Sequence, residues 1–253
     1  MRVDPARWQR EWKAVLRESR HQMLEDTGRN PSAIEREIEA RIHAAVRENL
    51  QKAFREAFTT VVRDGGGVIR SSVPEEAARR QYEAICRALA SPTGGRVESP
   101  AAGRSAVLAS LRAAGLGLVG IGLPDIPVFA GVLVRAAARI AMDYGFSPWV
   151  RREQVLTLLI FRTGLTTGPE RLAAERRLAA VLDGAGEPLP DGETLAAEVA
   201  DRLAASLLAA KFLQGMPIAG AAGGLWDGRV THRLLSYTDL CCRRRFLAKR
   251  RPV

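Results

Sequence analysis

The 253 residues suffice for one sizeable core, and alanine, leucine and arginine dominate them while aromatics make up 6%. Strand-length β-branched runs bounded by turns are scarce, so the composition predicts helix and leaves almost no room for sheet. A net charge of +10 and a pI near 10.5 favour acidic partners, with nucleic acid and an anionic lipid surface both qualifying.

In chain order, Asp4 and Pro5 start a charged first helix, with Trp8, Trp12, Val15 and Leu16 on one side and Gly28 at its end. Asn30 and Pro31 start a second in which Ile34, Ile38, Ile42, Val46, Leu50, Phe54 and Phe58 recur every fourth residue until Gly65-Gly66-Gly67. Residues 1–67 form an N-terminal helical arm, packed on the body or, as the minor reading, on a second copy in a homo-oligomer. Pro74 to Ala90 is a third helix, and Ser91 to Pro100, rich in Pro and Gly, is the best linker candidate.

The fourth helix, Ala101 to Val119, runs into Gly122-Leu-Pro-Asp-Ile-Pro127. Pro124 cannot continue a helix, Asp125 is placed to cap the next one, and Pro127 falls in its tolerant first turn. That fifth helix runs from Ile126 to Tyr144, with Gly145 as a left-handed cap. A sixth starts at Ser147-Pro148 and ends near Thr163, a seventh runs from Thr167 to about Asp183, and an eighth from Asp191 or Gly192 to Gly215. The ninth extends from Pro217 to about Lys249; Gly220, Gly224 and Gly228 share one of its faces, which lets another backbone approach.

The chain resembles the bacterial EcsC family over roughly Val68 to Arg250. The likeness lies in Gly122-Leu-Pro-Asp-Ile-Pro127, Tyr144-Gly145, Lys211 to Gly220, Gly223-Gly224, Asp227, Tyr237 and Arg245-Phe-Leu-Ala-Lys249. The resemblance implies a helical protein that in some bacteria is encoded beside an ABC transporter and has no settled biochemical activity. A fainter similarity, an acid followed by an apolar helix ending in Ile-Ala-x-x-Tyr-Gly, points to the helical tails of certain membrane-associated GTPase-like proteins.

Motifs for chemistry are few. Gly115-Leu-Gly-Leu-Val-Gly120 matches a dinucleotide fingerprint in letters only, because a helix rather than a strand precedes it and Pro124 breaks the chain four residues later. His21, His43 and His232 have no metal-ligand spacing, and no nucleophile elbow occurs, so no cofactor is expected. Asp125 and Asp227 are the acids most apt to be buried. Capping is the stronger reading of Asp125, with Lys211, Arg135 and Tyr237 as groups able to neutralise a buried carboxylate. A hydrolase acting on a lipid or peptide through such carboxylates is the enzymatic alternative.

Cys86, Cys241 and Cys242 form no disulfide framework, which points to a reducing compartment. Arg243 beside the Cys pair would lower a thiol pKa, although a packed, inert pair is the stronger reading. The N-terminus lacks the apolar stretch of a signal peptide, so a cytoplasmic protein is expected. The longest uncharged run, Ala113 to Pro124, falls short of the roughly 20 residues a spanning helix needs. A hairpin with Pro124 to Pro127 at its tip, dipping into one leaflet, stays open.

Arg243, Arg244, Arg245, Phe246, Lys249, Arg250 and Arg251 mix cations with apolar residues as an interfacial helix does. The expectation is an all-α, mainly single-domain bundle of about nine helices, residues 68–253 forming the main domain. It is peripherally associated with an anionic membrane surface at the inner face of the cell membrane, as an accessory or lipid-interacting protein supporting an ABC exporter. Nucleic acid ranks third among partners, since no recognition motif accompanies the charge.

Overall fold

Helices make up every regular element of the computed structural model among its described residues, with no strand there. Those residues are 3–28, 47–49, 51–60, 73–103, 105–107, 109, 126–182, 188–213 and 223–252; for 126–127, 207–213 and 223–229 the backbone alone is described. The helices are α1 (Pro5–Gly28), α2 (Glu75–Ala90), α3 (Ile126–Asp143), α4 (Arg151–Leu165), α5 (Glu170–Leu182), α6 (Gly192–Leu213) and α7 (Gly223–Ala248), with a 3-10 turn at Pro100–Ala102 and helical residues at 47–49 and 51–60.

Their ends follow local chemistry. Asp4 Oδ1 accepts the Arg7 amide at 2.6 Å, and Asp191 Oδ2 accepts the Thr194 amide at 2.8 Å, so an acid caps α1 and α6 as the sequence suggests. Gly145 has φ +77°, its amide bonds Met142 O at 2.9 Å, and the Phe146 amide reaches back to Ala141 O at 3.0 Å. These paired bonds are a Schellman motif, which closes α3 at the expected Tyr144-Gly145. Two starts differ from expectation. Residues 147–150 form a turn, with the Val150 amide on Ser147 O, so α4 begins only at Arg151; Gly168, at φ +70°, delays α5 to Glu170.

The last helix is the hub. α7 packs on α1, α3, α4 and α6, while α4 lies along α6 and α2 along α3. At the α4–α7 crossing Gly164 sits so close that a Cβ there would come 2.9 Å from Tyr237 Cδ1. Phe54, wholly buried on residues 51–60, meets Phe129 of α3 edge to face at 6.2 Å between centroids, which lays that segment on the body.

The first helix also belongs to the body. Trp8 Nε1 donates to Leu247 O at 2.9 Å, and Asp26 holds Arg171 of α5 and Arg233 of α7. Residues 91–99, expected as a linker, instead form a packed strap with Val97 and Ser99 buried. Its backbone supplies donors that buried carboxylates require, and a solvated linker would leave those acids bare. The body of the second predicted helix, Asn30 to Val46, the Gly65-Gly66-Gly67 stop and most of the fourth predicted helix lie outside the described residues.

Candidate functional site: a basic edge on a buried polar centre

Where α3 ends against α7, two buried acids share the strap. Asp143, last residue of α3, accepts Arg139 Nε at 2.8 Å one turn back and Ser99 Oγ at 2.6 Å. Asp239 Oδ1 accepts Tyr144 Oη at 2.7 Å and the Ser99 amide at 2.9 Å. Burial raises the pKa of Asp143, and it pushes Asp239 up to about 6 against the opposing pull of Tyr144, the Ser99 amide and Arg243. Tyr144 rises well above its ordinary value, by burial first and by the Asp239 charge second. The Ser99 hydroxyl donates to Asp143 and accepts from Ala101 N at 3.2 Å, so its bonds tie the strap to α3 and to the 3-10 turn.

A second cluster joins α1, α5 and α7. Arg171, with no exposed surface, lies 3.3 Å from both Asp26 and Glu175, donates to Thr163 O, and places its guanidinium 4.5 Å from the Tyr237 ring centroid. Tyr237 in turn donates to Glu175 at 2.6 Å, so the carboxylate it serves is Glu175. Arg135 is half-buried, its guanidinium folded back toward Gly131 of its own helix. Pro124, Asp125 and Gly220 lie outside the described residues. Pro127, Lys211, Gly224 and Asp227 fall on α3, α6 and α7, where only backbone is described.

The basic tail needs correction, because α7 stays packed to its end, with residues 237–243 buried in an unbroken run and Phe246 and Leu247 buried after them. Arg243 is buried and pairs with Glu98 at 2.9 Å and with Glu18. Arg245 grips Glu153 through two bonds, at 2.6 and 2.8 Å, with its guanidinium 3.9 Å from the Phe146 centroid. Phe246 is fully buried between Tyr82 and Tyr144, and Arg250 covers it at 4.1 Å while bonding Tyr82 Oη. Arg244 is half-buried, which leaves Lys249 and Arg251 as the exposed cations of the expected seven-residue membrane-surface set. Both neighbouring thiols are buried, which raises rather than lowers their pKa, Cys242 to about 12 and Cys241 higher still, so the pair is inert.

A different set of residues completes that edge. Lys249 Nζ lies 4.8 Å from the Phe146 centroid, and Arg245 ties the same end of α7 to Glu153 in the first turn of α4. Val150, half exposed, and the exposed Arg151 and Arg152 therefore share an edge with Lys249 and Arg251. Asp191 lies near enough to Arg151 to feel its charge, whereas Glu153 is spent on Arg245.

Sequence reasoning missed Asp26, Asp143, Asp239, Ser99 and Arg171. The available signals were single acids in otherwise apolar helical stretches, Ala141-Met-Asp-Tyr-Gly145 and Tyr237-Thr-Asp-Leu-Cys241, and Arg139 four residues before Asp143.

These features define an all-α bundle built around its last helix, with two buried ionic clusters and a basic edge. The chain belongs to the EcsC protein family, whose model matches residues 7–247. The match takes in α1 and so extends the likeness past Val68, across most of the arm. No curated protein and no solved structure is significantly similar to it.

Proposed function

We propose that the protein is a peripheral accessory of an anionic membrane surface, seated on the cytoplasmic face through the edge formed by Val150, Arg152, Lys249 and Arg251 and supporting an ABC exporter, a role suggested by the family resemblance, whose members are in some bacteria encoded beside an ABC transporter. The observation that carries this is the sharing of one exposed edge by a half-exposed valine, a cation of α4 and two cations just past the end of α7, while the nearby acid Glu153 is neutralised by Arg245. Each cation near an anionic leaflet contributes about 1 kcal/mol, so three engaged side chains give measurable partition at low salt. Surface contact also suits the helices, since among the described residues none is long and apolar enough to cross a membrane.

Flotation with phosphatidylserine-containing and with pure phosphatidylcholine vesicles tests the reading. Binding to the anionic vesicles alone, weakened in Arg152→Gln/Lys249→Gln/Arg251→Gln, is expected. Equal flotation with both vesicle types, or a triple variant that floats like the parent, would sink it.

A further inference from the structure

The outward side of α1 shows a separate pattern. Ala6, Arg10, Lys13, Arg17, Arg20 and Leu24 follow one another in steps of four, three, four, three and four residues, which on a helix is one straight stripe. All six are exposed, and Leu16, 44% exposed, flanks the stripe that Leu24, 60% exposed, ends. Trp8, Val15 and Asp26 point the other way, into the body, so packing fixes which face looks out.

Charge is sorted around this helix. Glu11 is tied to Arg7 at 2.8 Å and Glu18 to the buried Arg243, while Glu25 stands beside His21, so every acid lies to the side of the stripe. Arg10 spends one nitrogen on Pro92 O at 2.7 Å, but among the described residues Lys13, Arg17 and Arg20 have no ion-pair partner. Four cations within about three turns of helix, with two exposed leucines beside or at the end of the row, form the surface of a helix that lies flat in a headgroup layer. A polynucleotide is met by cations interleaved with aromatic or hydrogen-bonding side chains; the exposed Gln9 and His21 lie beside the row, His21 next to Glu25, whereas Leu24 lies in the row itself, which favours the headgroup layer.

We infer that the outward stripe of α1 is an anionic-lipid contact in its own right, lying along the bilayer plane with Lys13, Arg17 and Arg20 among the headgroups and Leu16 and Leu24 at the acyl boundary. It uses no residue of the Val150–Arg251 edge, so the two surfaces stand or fall separately.

The experiment is vesicle co-sedimentation of the full chain at low and at high salt, on phosphatidylserine/phosphatidylcholine vesicles. It compares the parent, Lys13→Gln/Arg17→Gln/Arg20→Gln, and Leu16→Ser/Leu24→Ser, each confirmed as helical by circular dichroism. The charge variant should partition on the order of a hundredfold more weakly at low salt, at about 1 kcal/mol per cation. The leucine variant should lose several-fold at both salts, because that contribution is not screened. Unchanged partition of the charge variant overturns the inference even if the Arg152/Lys249/Arg251 variant fails to bind, and binding lost only in that latter variant leaves the edge as the sole contact. A parent that fails to sediment with these vesicles at low salt, or one that prefers a 20-mer single-stranded RNA competitor, overturns it as well.

Discussion

Tyr144 and Asp239 meet across the contact of α3 with α7, the phenol donating at 2.7 Å to an oxygen that also takes the Ser99 amide. Folding raises this carboxyl from 3.8 to about 6. The folded state therefore binds more protons than the unfolded one between those values, and the resulting stabilisation is full below about pH 4 and lost as pH climbs through 6. The full change is on the order of 3 kcal/mol. Asp239→Asn keeps the acceptor oxygen and removes the titration. Urea unfolding from pH 4.5 to 8 should show a steeper fall in stability for the parent than for the variant; parallel curves would mean that Asp239 does not titrate in this window.

Arg171 should be the costliest cation to remove. It is wholly buried between Asp26 and Glu175, and Arg171→Leu takes the shared cation from both carboxylates, leaving Glu175 the Tyr237 hydroxyl while Asp26 retains Arg233. Breaking a buried pair this way costs about 3–5 kcal/mol. Denaturant titration is the measurement, and a loss under about 1 kcal/mol, the range of a surface pair, would place the guanidinium in water.

Close approach at the α4–α7 crossing makes a sharper steric prediction. A Cβ on Gly164 would stand 2.9 Å from Tyr237 Cδ1 and 3.0 Å from Leu234 Cδ1. Gly164→Ala gains helix propensity of about 1 kcal/mol but overpacks a site that costs about 1–3 kcal/mol to crowd. A net loss is expected, visible as a lower thermal midpoint. A rise in the midpoint would show that the two helices separate without penalty.

The helices were legible because their signals are local. Apolar period, Asp4, Asp191 and the Tyr144-Gly145 end all act within a few residues, and the structure places α1, α2 and α3, the start of α6 and the end of α7 close to their expected bounds, while the expected Gly215 end and Pro217 start lie outside the described residues. Starts set by distant contacts were not: the Gly168 amide bonds Asp26 O at 2.9 Å, a partner more than a hundred residues away that no window around Thr167 contains. The polar centre was hidden for the same reason. Ser99 looked like part of a Pro/Gly-rich linker, and nothing near it announces the two acids it serves, one on α3 and one on α7. The basic tail misled in the opposite direction. Its run of cations reads as an interfacial face, yet Arg243 and Arg245 turn inward because Glu98 of the strap and Glu18 and Glu153 of other helices meet them.

The bond from Trp8 to Leu247 joins positions 239 residues apart, and Asp26 waits on Arg233 across 207. A ribosome lengthens the chain by about 5–20 residues per second, so α1 leaves the exit tunnel many seconds before its docking partner is synthesised. Until then Trp8 and Val15 have no α7 to cover them, and the Tyr144 hydroxyl and the Ser99 amide wait for Asp239. The organising helix is thus made after all the helices it packs on, leaving a nascent chain whose apolar faces need protection in the meantime.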